Sequence, residues 1–154
     1  MVTMRRYLIP GAAYFVTTNI RDNRFPYFEA RHAEALASLI YRYRKQGDYD
    51  LLGFVIMPDH LHLMVVPQNE ITISSIMNRI KTAEAKRLIS CGLKPPIWWR
   101  RFYDRVMRDK DMLLAVLNYM QENPVRKEMV KEASEYPFSS ANLKWETDLP
   151  RYLD

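Results

Sequence analysis

Two short stretches of the chain are apolar at nearly every position, Leu51–Met57 and Leu61–Val66, and Pro58-Asp59 separates them. Apolar runs of this length without alternation predict strands covered on both faces, by helices on one side and by other structure on the second. Ala12–Ile20, rich in aromatic and β-branched residues, predicts an earlier strand. Helical spacing recurs between and after these runs. Ala35, Leu36, Leu39, Ile40 and Tyr43 predict a helix over Arg31–Gln46, ended by Gly47-Asp48. Ile73, Ile76, Met77, Ile80 and Leu88 form one stripe of a helix from about Ser74 to Ser90, with Arg79 and Lys86 on one flank and Gly92 and Pro95-Pro96 as its stop. Ile97–Arg108 predicts a fourth strand or hairpin, after which Asp109 or Asp111 can cap a last helix running to Asn123-Pro124.

The resulting order is βαββαβ followed by one further helix. That is the α+β, ferredoxin-like split βαβ arrangement, with the first and third strands in the middle of an antiparallel sheet. No repeat, low-complexity tract or Gly/Ser linker interrupts it, so residues 1–154 are expected to form a single domain. A chain of 154 residues buries enough surface to hold a core without disulfides or a structural metal. Its one cysteine, Cys91, can form neither an internal disulfide nor a multi-cysteine zinc site, which fits a reducing compartment. The longest apolar runs fall well short of the roughly 18–20 residues of a membrane span. Arg5 and Arg6 ahead of Tyr7–Ile20 faintly resemble a signal peptide, but Pro10-Gly11 and Val16-Thr17-Thr18 read better as a turn and a strand. The expected location is cytoplasmic. The fold hosts RNA-binding modules, metabolic enzymes and DNA nucleases alike, so function has to come from a site.

The net charge of +5 is modest, but its placement is uneven. Arg79, Lys81, Lys86, Arg87, Lys94, Arg100, Arg101, Arg105 and Arg108 stand against only Glu84 and Asp104, a local +7 that leaves −2 for the rest of the chain. The same stretch carries Trp98, Trp99, Phe102 and Tyr103. Cations interleaved with aromatic rings suit phosphates and exposed bases, and favour nucleic acid over a membrane surface. A solvated basic face over core aromatics is the plainer alternative.

His60-Leu61-His62 opens the third strand, and residues two apart on a strand point to the same face about 6.6 Å apart along it. One metal ion can therefore touch both imidazoles, although a pair of hydrogen-bonded histidines would satisfy the same pattern. Tyr119 and Asn123, four apart on the last helix, share a face. An amide oxygen beside two imidazoles leaves positions open for water and a phosphate oxygen, a donor set compatible with Mg2+ or Mn2+ more than with zinc. Taken singly, Tyr119 reads as an amphipathic core tyrosine and Asn123 as a helix end.

Met57-Pro58-Asp59-His60-Leu61-His62-Leu63, followed far downstream by Tyr119-Met120-Gln121-Glu122-Asn123-Pro124-Val125, resembles the REP-associated tyrosine transposases, relatives of the smallest single-tyrosine insertion-sequence transposases. Tyr14-Phe15-Val16-Thr17, Trp99 with Phe102-Tyr103-Asp104-Arg105, and Glu135-Tyr136-Pro137-Phe138-Ser139-Ser140 extend the resemblance over roughly residues 5–143. It implies His60 and His62 as metal ligands, Asn123 as a third, and Tyr119 as the nucleophile carried on the additional helix. The implied reaction is metal-dependent cleavage and rejoining of single-stranded or hairpin DNA through a 5′-phosphotyrosine, by a monomer or a homodimer. Arg79, Lys86, Arg100, Arg101 and Arg105 are candidates for holding the phosphate backbone, and Trp98, Trp99 or Tyr103 for stacking bases or filling the core. The rival readings are a replication-initiator or relaxase-type nickase, and a noncatalytic single-strand-binding module.

Overall fold

The computed structural model describes residues 11–153, so Arg5, Arg6 and Pro10 of the sequence reading lie outside the described residues. Four strands, β1 (Tyr14–Asn19), β2 (Tyr49–Met57), β3 (His60–Pro67) and β4 (Tyr103–Val106), form one antiparallel sheet in the order β2-β3-β1-β4. The helices are α1 (Ala30–Lys45), α2 (Ile73–Ser90), α3 (Lys110–Gln121) and the short α4 (Asn123–Arg126). The first and third strands occupy the centre, as the βαββαβ order predicts. β1, β2 and β3 are apolar at almost every position because both of their faces are covered.

Residues paired directly across strands share a face of the sheet. One face carries Val16, Leu63 and Phe54, and α1 and α2 pack on it: the Tyr41 ring of α1 meets Phe54 edge-on, and Ile73, Ile76, Met77, Ile80 and Leu88 of α2 are buried. Beneath the helices Glu84, only 1% exposed, accepts from the Tyr27 hydroxyl at 3.0 Å and pairs with Arg87, whose guanidinium reaches His32 at 3.0 Å. The charge is thus buried with its partner and fully hydrogen-bonded, and it ties α2 to the start of α1.

The other face carries Phe15, Thr17, Asn19, His60, His62, Met64, Gly53 and Val55. α3 lies over its β2 side, and Gly53 permits the approach. A Cβ there would come within 2.5 Å of Leu117 Cδ1 and 3.0 Å of Ser140 Oγ. The second cover anticipated for the apolar strands is therefore α3 together with the C-terminal segment. That segment also closes the outer edge of β2: Ile56 N–H donates to Phe138 O, Ser140 N–H to Phe54 O and Asp148 N–H to Leu51 O, at 2.7–2.9 Å. Tyr136 donates its hydroxyl to Ile56 O, and the Asp148 carboxylate takes a bidentate pair from Arg44 of α1. Backbone groups at a sheet edge are otherwise a template for aggregation.

Two boundaries differ from the sequence reading. The fourth strand is only Tyr103–Val106, and Trp98 instead makes a lone bridge with Ile20. Asp109 caps α3 at Met112 N, but α3 stops at Gln121 rather than running into Asn123-Pro124, where a new turn begins. Pro124 has no N–H for Met120 O and its ring crowds that carbonyl, so the helix breaks there. Among the described residues no helix is long and apolar enough to cross a membrane.

Candidate active site

The β2–β3 turn at Pro58-Asp59 delivers His60 and His62 to the α3 face of the sheet, with their Nε2 atoms 3.1 Å apart. Each imidazole is held from behind through Nδ1. His60 Nδ1–H donates to the Asp59 carboxylate at 2.7 Å, and His62 Nδ1 is hydrogen-bonded to Thr17 Oγ1 at 2.8 Å, across the β1–β3 pair that sets Thr17 opposite His62. Phe15 stacks on the His62 ring with centroids 5.5 Å apart. The two Nε2 atoms face one another on the inner side. Burial, and after it the neighbouring His60 and the Arg126 charge, push the His62 imidazole down to about 3, which keeps it neutral at physiological pH.

Asn123, only 7% exposed, enters from α4 and brings its amide nitrogen to 3.1 Å from His60 Nε2 and 3.0 Å from His62 Nε2. The three groups form a nearly equilateral triangle. Ligands about 2.1 Å from an octahedral ion stand about 3.0 Å apart when adjacent, so this triangle matches one face of such a coordination sphere. The amide turned over would present its oxygen instead of its NH2. Two imidazole nitrogens and an amide oxygen would form a mixed N/O donor set able to hold a divalent ion such as Mn2+ or Mg2+, and both rings have supporting hydrogen bonds in place. Among the described residues no group of three His, Cys, Asp or Glu side chains is placed to hold a metal, and the side chain that joins the histidine pair is the Asn123 amide.

Tyr119 lies on the last turn of α3, on the other side of the break from Asn123, and is 61% exposed. Arg126 links the two sides. Its guanidinium lies over the Tyr119 ring, 3.9 Å from the centroid, and its Nη2 donates to Tyr119 O at 2.7 Å. A phenol on an exposed helix end is thereby held by the turn that also carries Asn123. Gln121 Nε2 donates to Ser140 Oγ, which itself bonds Phe54 of β2, so the break is anchored to the sheet on its other side as well.

The structure therefore gathers His60, His62 and Asn123 at contact distance and sets Tyr119 one helical turn away from Asn123 along the chain. The five candidate phosphate-binding residues divide. Arg100, Arg101 and Arg105 are exposed on β4 and the segment leading to it. Arg79 and Lys86 sit on α2, in the layer behind the sheet, and Arg79 is paired with the buried Asp48 at 2.7 Å. Trp98 fills the core, donating its Nε1–H to Lys81 O, whereas Trp99 and Tyr103 are exposed. Sequence reasoning did not single out Asp59, Thr17, Gly53 or Arg126. Asp59 stood next to His60 in the motif, but the cross-strand partner of His62 had no local signal.

The family described as transposase IS200-like matches residues 13–123, from the residue before β1 to the amide of the triangle. The chain belongs to this family. Within the IS200-like transposases it is similar to the REP-associated tyrosine transposase of Escherichia coli K12, with 29% identity over 141 residues that cover 91% of this chain and 82% of that protein. A solved structure of a REP-associated tyrosine transposase bound to a REP hairpin superposes with a TM-score of 0.76 at 28% identity, over 97% of this chain and 93% of the other. This IS200-like chain thus has the α+β sheet architecture of a REP-associated transposase over nearly its whole length.

Proposed function

We propose that the protein is a metal-dependent single-strand DNA endonuclease and strand transferase that works at hairpin-associated sites through Tyr119. The observation that carries this reading is the donor triangle of His60, His62 and Asn123, joined through Arg126 to an exposed phenol. Tyr119 Oη attacks the scissile phosphorus, giving up its proton to solvent. The new P–O bond joins Tyr119 to the 5′-phosphate of the downstream strand, and the broken P–O3′ bond leaves the upstream strand with a 3′-hydroxyl that takes its proton from solvent. Bond energy is conserved in the phosphotyrosine, so a 3′-hydroxyl from another strand reverses the step and joins DNA in a new order. A divalent ion held by His60, His62 and Asn123 would supply Lewis-acid stabilisation of the charge that builds on the phosphoryl oxygens. Asp59 and Thr17 hold the two rings through Nδ1, so that both Nε2 atoms are aimed at the site. Arg126 holds the Tyr119 ring, while Arg100, Arg101 and Arg105 offer charge to the strand. The relative solved with a REP hairpin supports hairpin DNA as the ligand class.

The test is covalent. With Mg2+ or Mn2+ and a hairpin oligonucleotide bearing single-stranded flanks, the protein should form an adduct that survives denaturing electrophoresis. An adduct persisting in Tyr119→Phe would remove the nucleophile, and cleavage unchanged in His60→Ala with His62→Ala would remove the metal site.

A further inference from the structure

The open half of the sheet's histidine face carries aromatic rings that the cleavage chemistry does not use. Trp99 is 49% exposed and Tyr103 56%. Both belong to this face: Trp98 bridges Ile20 and turns into the helical layer, so Trp99 turns the other way, and Tyr103 pairs with Thr17, which pairs with His62. Tyr103 meets Phe15 edge-on, and Phe15 stacks on His62, so a continuous row of rings leads from the imidazoles to the β4 side.

Trp99 is held in place with care. Its N–H donates to Asn19 O at 2.9 Å, and Lys81 of α2 donates to Trp99 O at 2.9 Å and to Arg100 O at 3.2 Å. Arg24 clamps the preceding loop through Lys94 O and Pro96 O. The Arg21 guanidinium lies 4.6 Å from the Trp99 ring centroid, and among the described residues its buried Nε has no hydrogen-bond partner. An exposed indole backed by a cation and fixed at its own carbonyl and the next is a rigid stacking surface, and exposed Arg100, Arg101 and Arg105 flank it in the chain.

We infer that Trp99, backed by Arg21, is a base-stacking subsite for the single-stranded DNA flanking the cleavage point, with Tyr103 as its neighbour on the same track. This rests on the proposed function for the identity of the ligand, and it adds where an unpaired base is held. Asn19 lies between His60 and Trp99, so the backbones of His60 and Trp99 stand two strand spacings, about 10 Å, apart. That length is about three stacked nucleotides at 3.4 Å each, and fewer where the strand is extended. The base on Trp99 therefore lies within about three nucleotides of the scissile phosphate.

The experiment measures binding without cutting. A Tyr119→Phe protein, with and without Trp99→Ala, is titrated with hairpin oligonucleotides in which each flanking nucleotide in turn is made abasic, and Mn2+ affinity is measured alongside to verify the fold. Trp99→Ala should weaken the intact oligonucleotide roughly 5- to 150-fold. The loss should vanish for one abasic position within three nucleotides of the cleavage point, and Trp99→Phe should recover most of it. An equal loss on every abasic oligonucleotide, or no loss on any, overturns the subsite. Failure of Tyr119→Phe to abolish the covalent adduct would instead overturn the proposed chemistry and leave this binding result standing.

Discussion

Gly53→Ala tests whether the close approach of α3 to β2 sets the donor triangle. The added Cβ would lie 2.5 Å from Leu117 Cδ1, 3.0 Å from Ser140 Oγ and 3.5 Å from Met120 Cε. Leu117 is buried, so its methyl cannot swing into solvent, and Ser140 Oγ is fixed by Phe54 and Gln121. Overpacking of this kind costs about 1–3 kcal/mol. Replacing a strand glycine offsets some of that, about 0.5–1 kcal/mol, because alanine loses less freedom on folding. The net expectation is a destabilisation of up to roughly 2.5 kcal/mol, read as a lower urea midpoint at unchanged slope. Relief comes by moving α3 outward, and Asn123 follows it two residues beyond the helix end, so Mn2+ affinity should fall together with stability. The decisive measurement is a double-mutant cycle with Leu117→Ala. Shrinking Leu117 should make the Gly53→Ala penalty disappear, giving a coupling of about 1–3 kcal/mol. Additive effects, or a Gly53→Ala protein more stable than the wild type, would refute the argument.

Two further outcomes follow from the geometry. Asp59→Asn removes the carboxylate that orients His60, and should weaken Mn2+ binding about 10- to 100-fold while leaving the urea midpoint within about 0.5 kcal/mol, measured by calorimetry and denaturation side by side. Asp148, held down to about 2 by the Arg44 hydrogen bonds, the Leu51 N–H and Arg151, stabilises the fold while it is charged. Its folded value lies below its ordinary one of 3.8. The contribution is therefore complete above about pH 4 and is lost as pH falls from there towards 2, on the order of 1–2 kcal/mol once solvent screening is allowed for. Thermal unfolding of wild type and Asp148→Asn should differ at neutral pH and converge near pH 2, and parallel curves would exclude this clasp.

How far the sequence revealed these features depends on how local their causes are. The spans of α1, α2, β2 and β3 were readable to within two residues because burial imposes a helical period on the first two and an unbroken apolar run on the other two. β4 was not, because the backbone of 97–102 is held by Lys81 and Asn19 rather than by a full ladder, and such partners leave no periodic trace. The histidine pair and the Tyr119–Asn123 spacing were visible as motifs. The break between Tyr119 and Asn123 was marked by Pro124 yet read as a helix end, since nothing local announced that the turn would resume and point Asn123 inward. Thr17 and Gly53 act through the register of strands far apart in the chain. Tyr136–Ser140 was visible as text, but its work is to seal the rim of β2, and a segment that bonds along an existing edge needs no amphipathic pattern of its own.

The order in which these groups emerge during synthesis has a consequence. Both imidazoles and the residues behind them lie before β4 ends at Val106, whereas Tyr119 and Asn123 come later, and Ser140, which anchors their turn, comes last. A polypeptide grown only as far as β4 therefore holds the two histidines without Asn123 or Tyr119. On the proposed chemistry, the capacity to cut a DNA strand arrives only once α3 and the turn after it have been added.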